Sequence, residues 1–241
     1  MDPGQVADRI FLETTRRFAP PRLAHDDVRV ALELAQVEPG KPVADLGCGY
    51  GRHLRALREH GHARPIGIDK SALLLAEARA QAPSAQLLRA DLGALPLHEG
   101  SLSAAFCFYS SMFLGTEEEA VRALAECARV LRPGGALVLT TDNPLRLRRR
   151  PHARYEEDVP GLGHVVEEST YDARTDVDRV TKHLRTAGGE DLSATFFIRY
   201  YTPPRLAALA LQAGLLFRRL EPNLPLTDST PQLIALLEKA S

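Results

Sequence analysis

Nine residues near the start of the chain, 43–51, constrain the fold more than any other stretch. They read Val-Ala-Asp-Leu-Gly-Cys-Gly-Tyr-Gly, an apolar run followed by glycines at every second position. Glycine lets the backbone turn sharply and approach a ligand where a Cβ would collide. From Arg52 onward the sequence suits a helix, whose first amide groups would point at that ligand. The run therefore predicts a buried strand, a tight glycine turn and a helix start that together hold a ligand.

A second acidic residue follows at a meaningful distance from this turn. Asp69 closes the short apolar segment 65–68 and lies 18 residues after Gly51 (69 − 51). A carboxylate near that offset, at the end of the next strand, can accept hydrogen bonds from ribose hydroxyl groups. The alternative is that Asp69 caps the following helix, because Asp and Ser are both common capping residues. The two roles are compatible.

Strand-like and helix-like segments alternate from Val43 to Thr141. This alternation predicts a parallel, doubly wound sheet with its ligand at the carboxyl ends of the strands. Thr116 and Glu119 have the spacing of a capping box, and the Pro-Gly-Gly at 133–135 is expected to end that helix and reverse the chain.

The C-terminal part of the chain continues this pattern. Thr202 and Pro203 are expected to begin a helix that Gly214 stops. The apolar runs 215–221 and 232–238 are then expected to be the last two strands.

In this order the motifs resemble those of class I S-adenosylmethionine (SAM)-dependent methyltransferases. Asp45-x-Gly47-x-Gly49-x-Gly51 and Asp69 are similar to the first two motifs of that family, and segments 85–92 and 124–139 resemble later ones. The resemblance is strong over about residues 37–141 and looser elsewhere. It implies a Rossmann-like, doubly wound sheet of seven strands with the last one antiparallel. It also implies SAM as the cofactor, S-adenosylhomocysteine as its product, and no metal.

The resemblance further implies which residues contact the cofactor. An acidic Asp45 suits the positively charged cofactor, although its carboxylate could equally hold the loop by accepting backbone N–H bonds. Asp91 is expected beside the adenine; alternatively, it only starts a loop. The predicted cofactor contacts are Asp45, Gly47, Cys48, Gly49, Gly51, Asp69, Lys70, Asp91, Leu92 and Tyr109.

Two regions outside the sheet are expected to define the substrate. Residues 1–37 predict two helices separated at Pro20-Pro21, which either cover the cofactor or simply pack on the sheet. Residues 145–201 contain three β-like runs, 165–171, 177–184 and 192–201, and predict an antiparallel ribbon that roofs the site. Residues 38–144 and 202–241 supply the core, so the chain is expected to be one methyltransferase domain.

Four residues are predicted to line the substrate. Arg199 and Tyr201 would share one strand face, where they either orient the substrate or are ordinary surface residues. Ser111 and Phe113 follow the fourth strand, where the resemblance places groups beside the methyl group. No catalytic base is assigned, because structural roles are favoured for the nearby His152, His164, Glu167 and Tyr201.

Charge and cysteine content narrow the function further. With 30 basic and 31 acidic residues the net charge is −1, so nothing in the charge indicates a nucleic-acid partner. The basic cluster 146–150 is interpreted as a solvated loop or a grip on an anionic substrate. Three cysteines without paired spacing indicate reduced thiols, and no apolar run reaches the roughly 18 residues of a membrane span. A soluble, cytoplasmic protein without a membrane partner is expected.

The sequence thus predicts an enzyme that transfers a methyl group from SAM to an oxygen or nitrogen of a small molecule, with secondary metabolites as the expected class. An RNA methyltransferase is one alternative, although nucleic acid is not the favoured partner. A non-catalytic SAM-binding or partner module is the other. The sequence assigns neither the acceptor nor an oligomeric state.

Overall fold

Eleven strands and seven α-helices make up the part of the chain that the computed structural model describes, residues 2–18, 20–221 and 232–240. The strands are β1 (Val43–Leu46), β2 (Ile66–Asp69), β3 (Gln86–Arg89), β4 (Leu102–Cys107), β5 (Leu131–Asp142), β6 (His152–Val159), β7 (Gly163–Asp172), β8 (Val177–Thr186), β9 (Asp191–Arg199), β10 (Leu215–Glu221) and β11 (Gln232–Lys239). The helices are α1 (Pro3–Phe18), α2 (Pro21–Ala35), α3 (Arg52–Glu59), α4 (Ala72–Gln81), α5 (Glu117–Val130), α6 (Pro144–Arg149) and α7 (Pro203–Gln212).

The central sheet has seven strands in the order β10-β11-β5-β4-β1-β2-β3. Strand β11 is antiparallel to both of its neighbours, whereas β5, β4, β1, β2 and β3 pair in parallel. The predicted seven-stranded, doubly wound sheet with an antiparallel last strand is confirmed. In such a sheet the loops after β1, β2 and β4 meet at one edge, which is where ligands bind.

Helices cover both faces of this sheet, and its inner strands β1 and β4 are accordingly buried along their whole length. One core cluster joins the sheet to α5 and α7, and another joins it to α2 and α3. Phe106 and Leu137, in β4 and β5, are fully buried between them. The rigid central sheet thereby fixes the positions of the loops at its edge.

Helix α5 begins as the capping-box pattern predicts. The Thr116 hydroxyl accepts from the Glu119 amide at 3.2 Å, and the Glu119 carboxylate accepts from the Thr116 amide at 2.7 Å. The expected end of the helix is wrong, because α5 ends at Val130 and the Pro-Gly-Gly lies inside β5. Leu131 is already extended and pairs with Leu102 of β4, so the chain leaves the helix before the proline.

Strands β6 to β9 form a separate four-stranded antiparallel sheet, consecutive along the chain. The sequence predicted three of these strands and missed β6 and the short helix α6. Seven of the eight β6 side chains are exposed, so this edge strand lacks the apolar signal of a buried strand. The strand that was expected to reach Tyr201 ends at Arg199.

Helix α1 packs against the second sheet and against the glycine turn that follows β1. Ile10 lies in a cluster with Val165 and Leu184 of the second sheet, whereas Leu12 packs with Tyr50 after β1. The helix therefore bridges the second sheet and the glycine turn. The division of the chain into cap, core and roof stays a prediction.

Candidate functional site

The glycine turn after β1 requires its glycines. Gly47, Gly49 and Gly51 have φ values of 73°, 52° and 85°, a region that side chains with a Cβ rarely adopt. A Cβ on Gly47 would stand 2.5 Å from the Cβ of Ser111, and one on Gly51 would stand 2.9 Å from that of Ala78. The turn therefore approaches both the loop after β4 and helix α4 more closely than any other residue would permit.

Asp69, at the end of β2, holds this turn in place. Its Oδ2 accepts from the Gly49 amide at 2.9 Å and its Oδ1 accepts from the Ser71 amide at 2.9 Å. Ser71, rather than Asp69, caps α4 through the Leu74 amide. Burial raises the pKa of Asp69, while the two amides oppose that shift. A carboxylate offers about four lone-pair sites, so each oxygen retains capacity for a ligand hydroxyl.

Asp45 is buried in β1 with 1% of its surface exposed. Among the described residues its Oδ2 has no hydrogen-bond partner. Burial raises the pKa of Asp45 to about 7, Arg52 opposes the shift, and Asp69 adds to it. A buried acceptor without a donor is costly, which indicates that a donor or cation supplied from outside belongs there.

Three residues that the sequence analysis did not single out surround Asp45. His53 is 5% exposed, and its Nδ1 lies 4.0 Å from Asp45 Oδ2. The other ring nitrogen, Nε2, lies 3.2 Å from Oδ2 of Asp27 in α2. Arg52 places its guanidinium 4.6 Å from the centre of the Tyr109 ring. Arg52 and His53 could have been found from their position directly after the glycine turn. Asp27 reaches the site only through the packing of α2.

The loop after β4 meets the glycine turn. Tyr109 and Ser110 have φ values of 55° and 60°, which are strained for residues with a Cβ. The Tyr109 amide donates to the Thr140 hydroxyl at 2.7 Å, and the Ser110 amide donates to the Thr140 carbonyl at 2.9 Å. Ser111 touches Gly47 as described. The structure therefore brings Asp45, Gly47, Asp69, Tyr109 and Ser111 to one edge of the sheet.

The remaining predicted cofactor contacts lie beside this group. Asp91 is exposed and its Oδ1 accepts from the Gly93 amide at 2.7 Å, as a loop-starting aspartate does. Lys70 is exposed, and Leu92 is half-buried against the core. The Cys48 thiol is buried, and burial raises its pKa far above the ordinary value, so it fills space.

Of the four residues predicted to line the substrate, Ser111 lies against Gly47 and the other three separate into two places. Phe113 and Tyr201 are buried and meet edge to face, with ring centres 5.1 Å apart. Arg199 instead donates to the Thr175 carbonyl at 3.0 Å. The prediction that Arg199 and Tyr201 share a strand face is wrong, because β9 ends at Arg199 and Tyr201 lies beyond it. Burial raises the pKa of Tyr201 to about 12, which keeps this phenol protonated at neutral pH.

Helix α1 lies across the glycine turn. The Ser71 hydroxyl donates to Asp8 at 2.5 Å, and the Phe11 ring stands 3.5 Å from the place a Cβ on Gly49 would occupy. Arg16 forms an ion pair with Glu77 of α4, and Arg9 pairs with Glu190 beyond β8 at 2.8 Å. The N-terminal helix therefore covers the turn as well as packing on it.

A cavity of about 430 Å³ lies elsewhere, on the second sheet. Its lining includes His152, Arg154 and Arg179, and none of its lining residues belongs to the central sheet. His164, another residue considered as a base, pairs with Asp158 at 2.8 Å. In the described ranges no group of three or more His, Cys, Asp or Glu is arranged to hold a metal ion. Nor is any helix there long and apolar enough to cross a membrane.

Comparison with known families agrees with this geometry. Residues 43–135 match a family model described as a methyltransferase domain. The match runs from the first residue of β1 into β5, and so contains the glycine turn, Asp69 and Asp91. Residues 43–135 form a methyltransferase domain. The buried acceptor of Asp45, the glycine turn and the remaining lone pairs of Asp69 would suit the amino acid and ribose parts of SAM, the cofactor that the sequence resemblance implies.

Individual relatives of this methyltransferase domain are distant or partial. A malonyl-[acyl-carrier protein] O-methyltransferase from Enterobacter lignolyticus is 35% identical over 99 residues, 41% of this chain and 38% of that protein. The chain spans less than half the length of the curated relatives it matches.

Solved structures share the fold over most of the chain. The CcbJ methyltransferase from Streptomyces caelestis has a TM-score of 0.77 and 21% identity, covering 92% of this chain and 91% of its own. The sugar N-methyltransferase KedS8 from Streptoalloteichus has a TM-score of 0.67 and 22% identity, covering 90% of this chain and 87% of its own. The likeness extends beyond the methyltransferase domain into the second sheet.

Proposed function

We propose that this protein transfers the methyl group of SAM to a nitrogen or oxygen atom of a small polar molecule, with secondary metabolites as the expected class. The observation that carries the proposal is the orphaned, buried carboxylate oxygen of Asp45 beside the glycine turn. An ammonium group could donate the hydrogen bond that this oxygen lacks. Asp69, at the end of the neighbouring strand β2, would offer its free lone pairs to ribose hydroxyls.

The cofactor supplies an activated methyl group, so the protein's contribution is binding, orientation and exclusion of water. Asp45 would hold the ammonium group, Asp69 the ribose, and Asp91 with Leu92 the adenine. Ser111 and Phe113, after β4, would flank the reacting centre. Holding an acceptor in line for displacement can account for about 7 to 11 kcal/mol of barrier lowering in favourable cases.

The covered face of the second sheet supports a polar acceptor. Asp178, Val180, Lys182 and Leu184 alternate along β8 and therefore share one face, on which Val180 and Leu184 are buried. On this face Asp178 is 4% exposed and accepts from Ser169 at 2.8 Å. Polar groups at covered positions suit a substrate with hydroxyl or amino groups.

Contacts with the central sheet support the placement of this face near the reacting centre. Tyr200 hydrogen-bonds to Asp142, the last residue of β5, and the charge of Asp178 acts on the same carboxylate. Burial raises the pKa of Asp142. We therefore propose that the second sheet roofs the acceptor site, as the sequence analysis predicted.

Labelled methyl transfer tests the proposal. Purified protein would be incubated with methyl-labelled SAM and panels of amino and hydroxy metabolites, with bulk tRNA as a separate acceptor. We expect label in one class of small molecule and none in tRNA. Label in tRNA alone would favour the RNA methyltransferase alternative, and SAM binding without transfer to any acceptor would favour a non-catalytic module.

A further inference from the structure

A line of polar side chains connects the surface with the buried carboxyl group of Asp45. The Tyr109 hydroxyl, on a side chain that is partly exposed, donates to Asp27 Oδ2 at 2.9 Å. His53 Nε2 lies 3.2 Å from the same oxygen, and His53 Nδ1 faces Asp45 Oδ2 at 4.0 Å. The methyl transfer proposed above has no use for His53 or Asp27.

The protons along this line are constrained by the geometry. His53 stacks on Phe108 with ring centres 4.0 Å apart, and burial lowers its pKa to about 4, so the ring is neutral near pH 7. A neutral imidazole carries one N–H. Asp27 can only accept, so that N–H is at Nε2, and the bare Nδ1 faces Asp45. Two acceptors would then oppose each other in a buried place unless Asp45 itself carries a proton.

The other charged and titratable groups around Asp45 come from each element packed against it. Arg52 in α3 and Asp69 in β2 act on its charge in opposite directions. Cys107 in β4 and Cys48 in the glycine turn are buried thiols whose pKa burial raises, so neither is charged near neutral pH. Asp27 in α2 acts through His53. His53 is thus the acceptor that faces the orphaned oxygen of Asp45 among the described residues.

We propose that His53 and Asp27 are positioning residues that keep Asp45 protonated in the free protein and release that proton when the cofactor's ammonium group binds. The inference rests on the proposed function. The Asp45 O–H bond breaks and its proton moves to His53 Nδ1, as the Nε2 proton moves to Asp27 and from there to water at the Tyr109 end. His53 is neutral before and after the transfer. The site loses the proton of Asp45 and gains the positive charge of the ammonium group.

Calorimetric titration of the full-length protein with SAM and with S-adenosylhomocysteine measures this proton directly. Titrations at pH 6 and pH 7 in two buffers of different ionisation enthalpy give the number of protons released. An α-amino group has a pKa of about 7.7 to 8.0, so at least about 80% of the ligand is charged at pH 7 and nearly all of it at pH 6. With the pKa of Asp45 at about 7, we expect about 0.5 proton at pH 7 and nearly one at pH 6.

His53→Asn is the diagnostic variant. The asparagine amide can donate to Asp45 and favours the ionised carboxylate, so less of the free variant holds a proton that binding could release. We expect less than about 0.2 proton at pH 7 and an affinity that no longer falls between pH 7 and pH 6. Asp26→Asn, at the exposed neighbouring position on α2, is the matched control and should behave as the wild type.

The outcomes separate this inference from the proposed function. Binding by the wild type without proton release overturns only the proposed proton transfer through His53 and Asp27. This result does not depend on whether the variant folds. Undiminished release from a folded His53→Asn protein also overturns it, because the proton then comes from another group. If the wild type binds neither SAM nor S-adenosylhomocysteine, the proposed function and the proton transfer are both overturned.

Discussion

Asp69 is the residue at which fold and proposed function depend on the same atoms. Its two oxygens hold the Gly49 and Ser71 amides, and their remaining lone pairs are proposed to bind ribose. We expect Asp69→Ala to weaken SAM binding by about 1 to 3 kcal/mol, as for other hydrogen bonds to charged groups. Because two buried amides lose their acceptor, the free energy of unfolding should also fall by about 1 to 3 kcal/mol.

Titration calorimetry and urea unfolding measure these two effects separately. The apolar core does not include Asp69, so the variant should still unfold in a single cooperative transition. An affinity equal to that of the wild type would reject the ribose role while leaving the structural role in place.

Asp45 couples stability to pH. Its pKa is about 7 in the folded protein against 3.8 ordinarily, so the folded state holds a proton that the unfolded state has lost. Stability from this group is therefore present at low pH and is lost as pH rises from about 4 to about 7. Asp45→Asn cannot ionise. We expect it to be about 2 to 4 kcal/mol more stable relative to wild type at pH 8 than at pH 4.

Urea unfolding of wild type and Asp45→Asn at the two pH values checks this sign. His53 is present in both proteins, so its own opposing contribution cancels in the comparison. The variant should also bind SAM at least tenfold more weakly, because a charged acceptor is lost. Parallel pH profiles for the two proteins would mean that Asp45 is ionised throughout.

At the residue scale the sequence predicts what local geometry fixes. The glycines and Asp69 are recognisable because the turn's positive φ angles and the strand spacing leave few alternatives. Asp27 was missed because its role depends on how α2 packs, which no local pattern encodes. The prediction that Arg199 and Tyr201 share a strand face failed because it depended on the exact end of β9, which tertiary packing decides.

At the scale of elements, α1 is the part expected to move. Asp8 accepts from Ser71, and Arg16 pairs with Glu77, but the side chains of this ion pair are 45% and 40% exposed. Such pairs contribute about 0 to 1 kcal/mol each. We expect the double variant Asp8→Asn/Arg16→Gln to speed SAM dissociation up to about fivefold and to increase hydrogen exchange in α1 alone.

Stopped-flow ligand release and hydrogen exchange by mass spectrometry measure the two quantities. Arg29→Gln is a suitable control, since Arg29 forms a comparable exposed pair with Glu33 within α2. Exchange that increases equally in the central strands would show global destabilisation and contradict a local covering role for α1.

The sequence predicted elements with strong periodicity and missed those without it. The Thr116–Glu119 box located the start of α5. Strand β6 is mostly exposed and α6 has only six residues, so neither carries an apolar period, although Asn143 caps α6 and Pro144 begins it. The Pro-Gly-Gly was assigned to a turn between helix and strand. It instead lies within β5, where the six residues 131–136 lie opposite only three residues of β4, 102–104.

At the scale of the whole molecule, charge bears on the class of acceptor. The chain has a net charge of −1, and its basic cluster 146–150 includes Arg148, which is paired with Asp176. We expect the rate of methyl transfer to a small acceptor to change less than about twofold between 50 and 200 mM salt. An RNA acceptor held by several phosphate contacts would lose about 10³-fold or more in affinity over that range.

The salt series uses the acceptor that the labelling experiment finds. The Michaelis constant for this acceptor and that for SAM are followed together, which separates a substrate effect from a cofactor effect. A steep loss confined to the acceptor would contradict a small-molecule substrate.

The central claim is that the glycine turn between Asp45 and Asp69 binds SAM. Its most direct test is calorimetric titration of the wild type and of Gly47→Ala with SAM, alongside thermal unfolding of both. We expect micromolar affinity for the wild type. We expect no measurable binding to a folded Gly47→Ala protein, whose Cβ would stand 2.5 Å from that of Ser111. No heat and no thermal stabilisation with the wild type, or equal binding by both proteins, would contradict it.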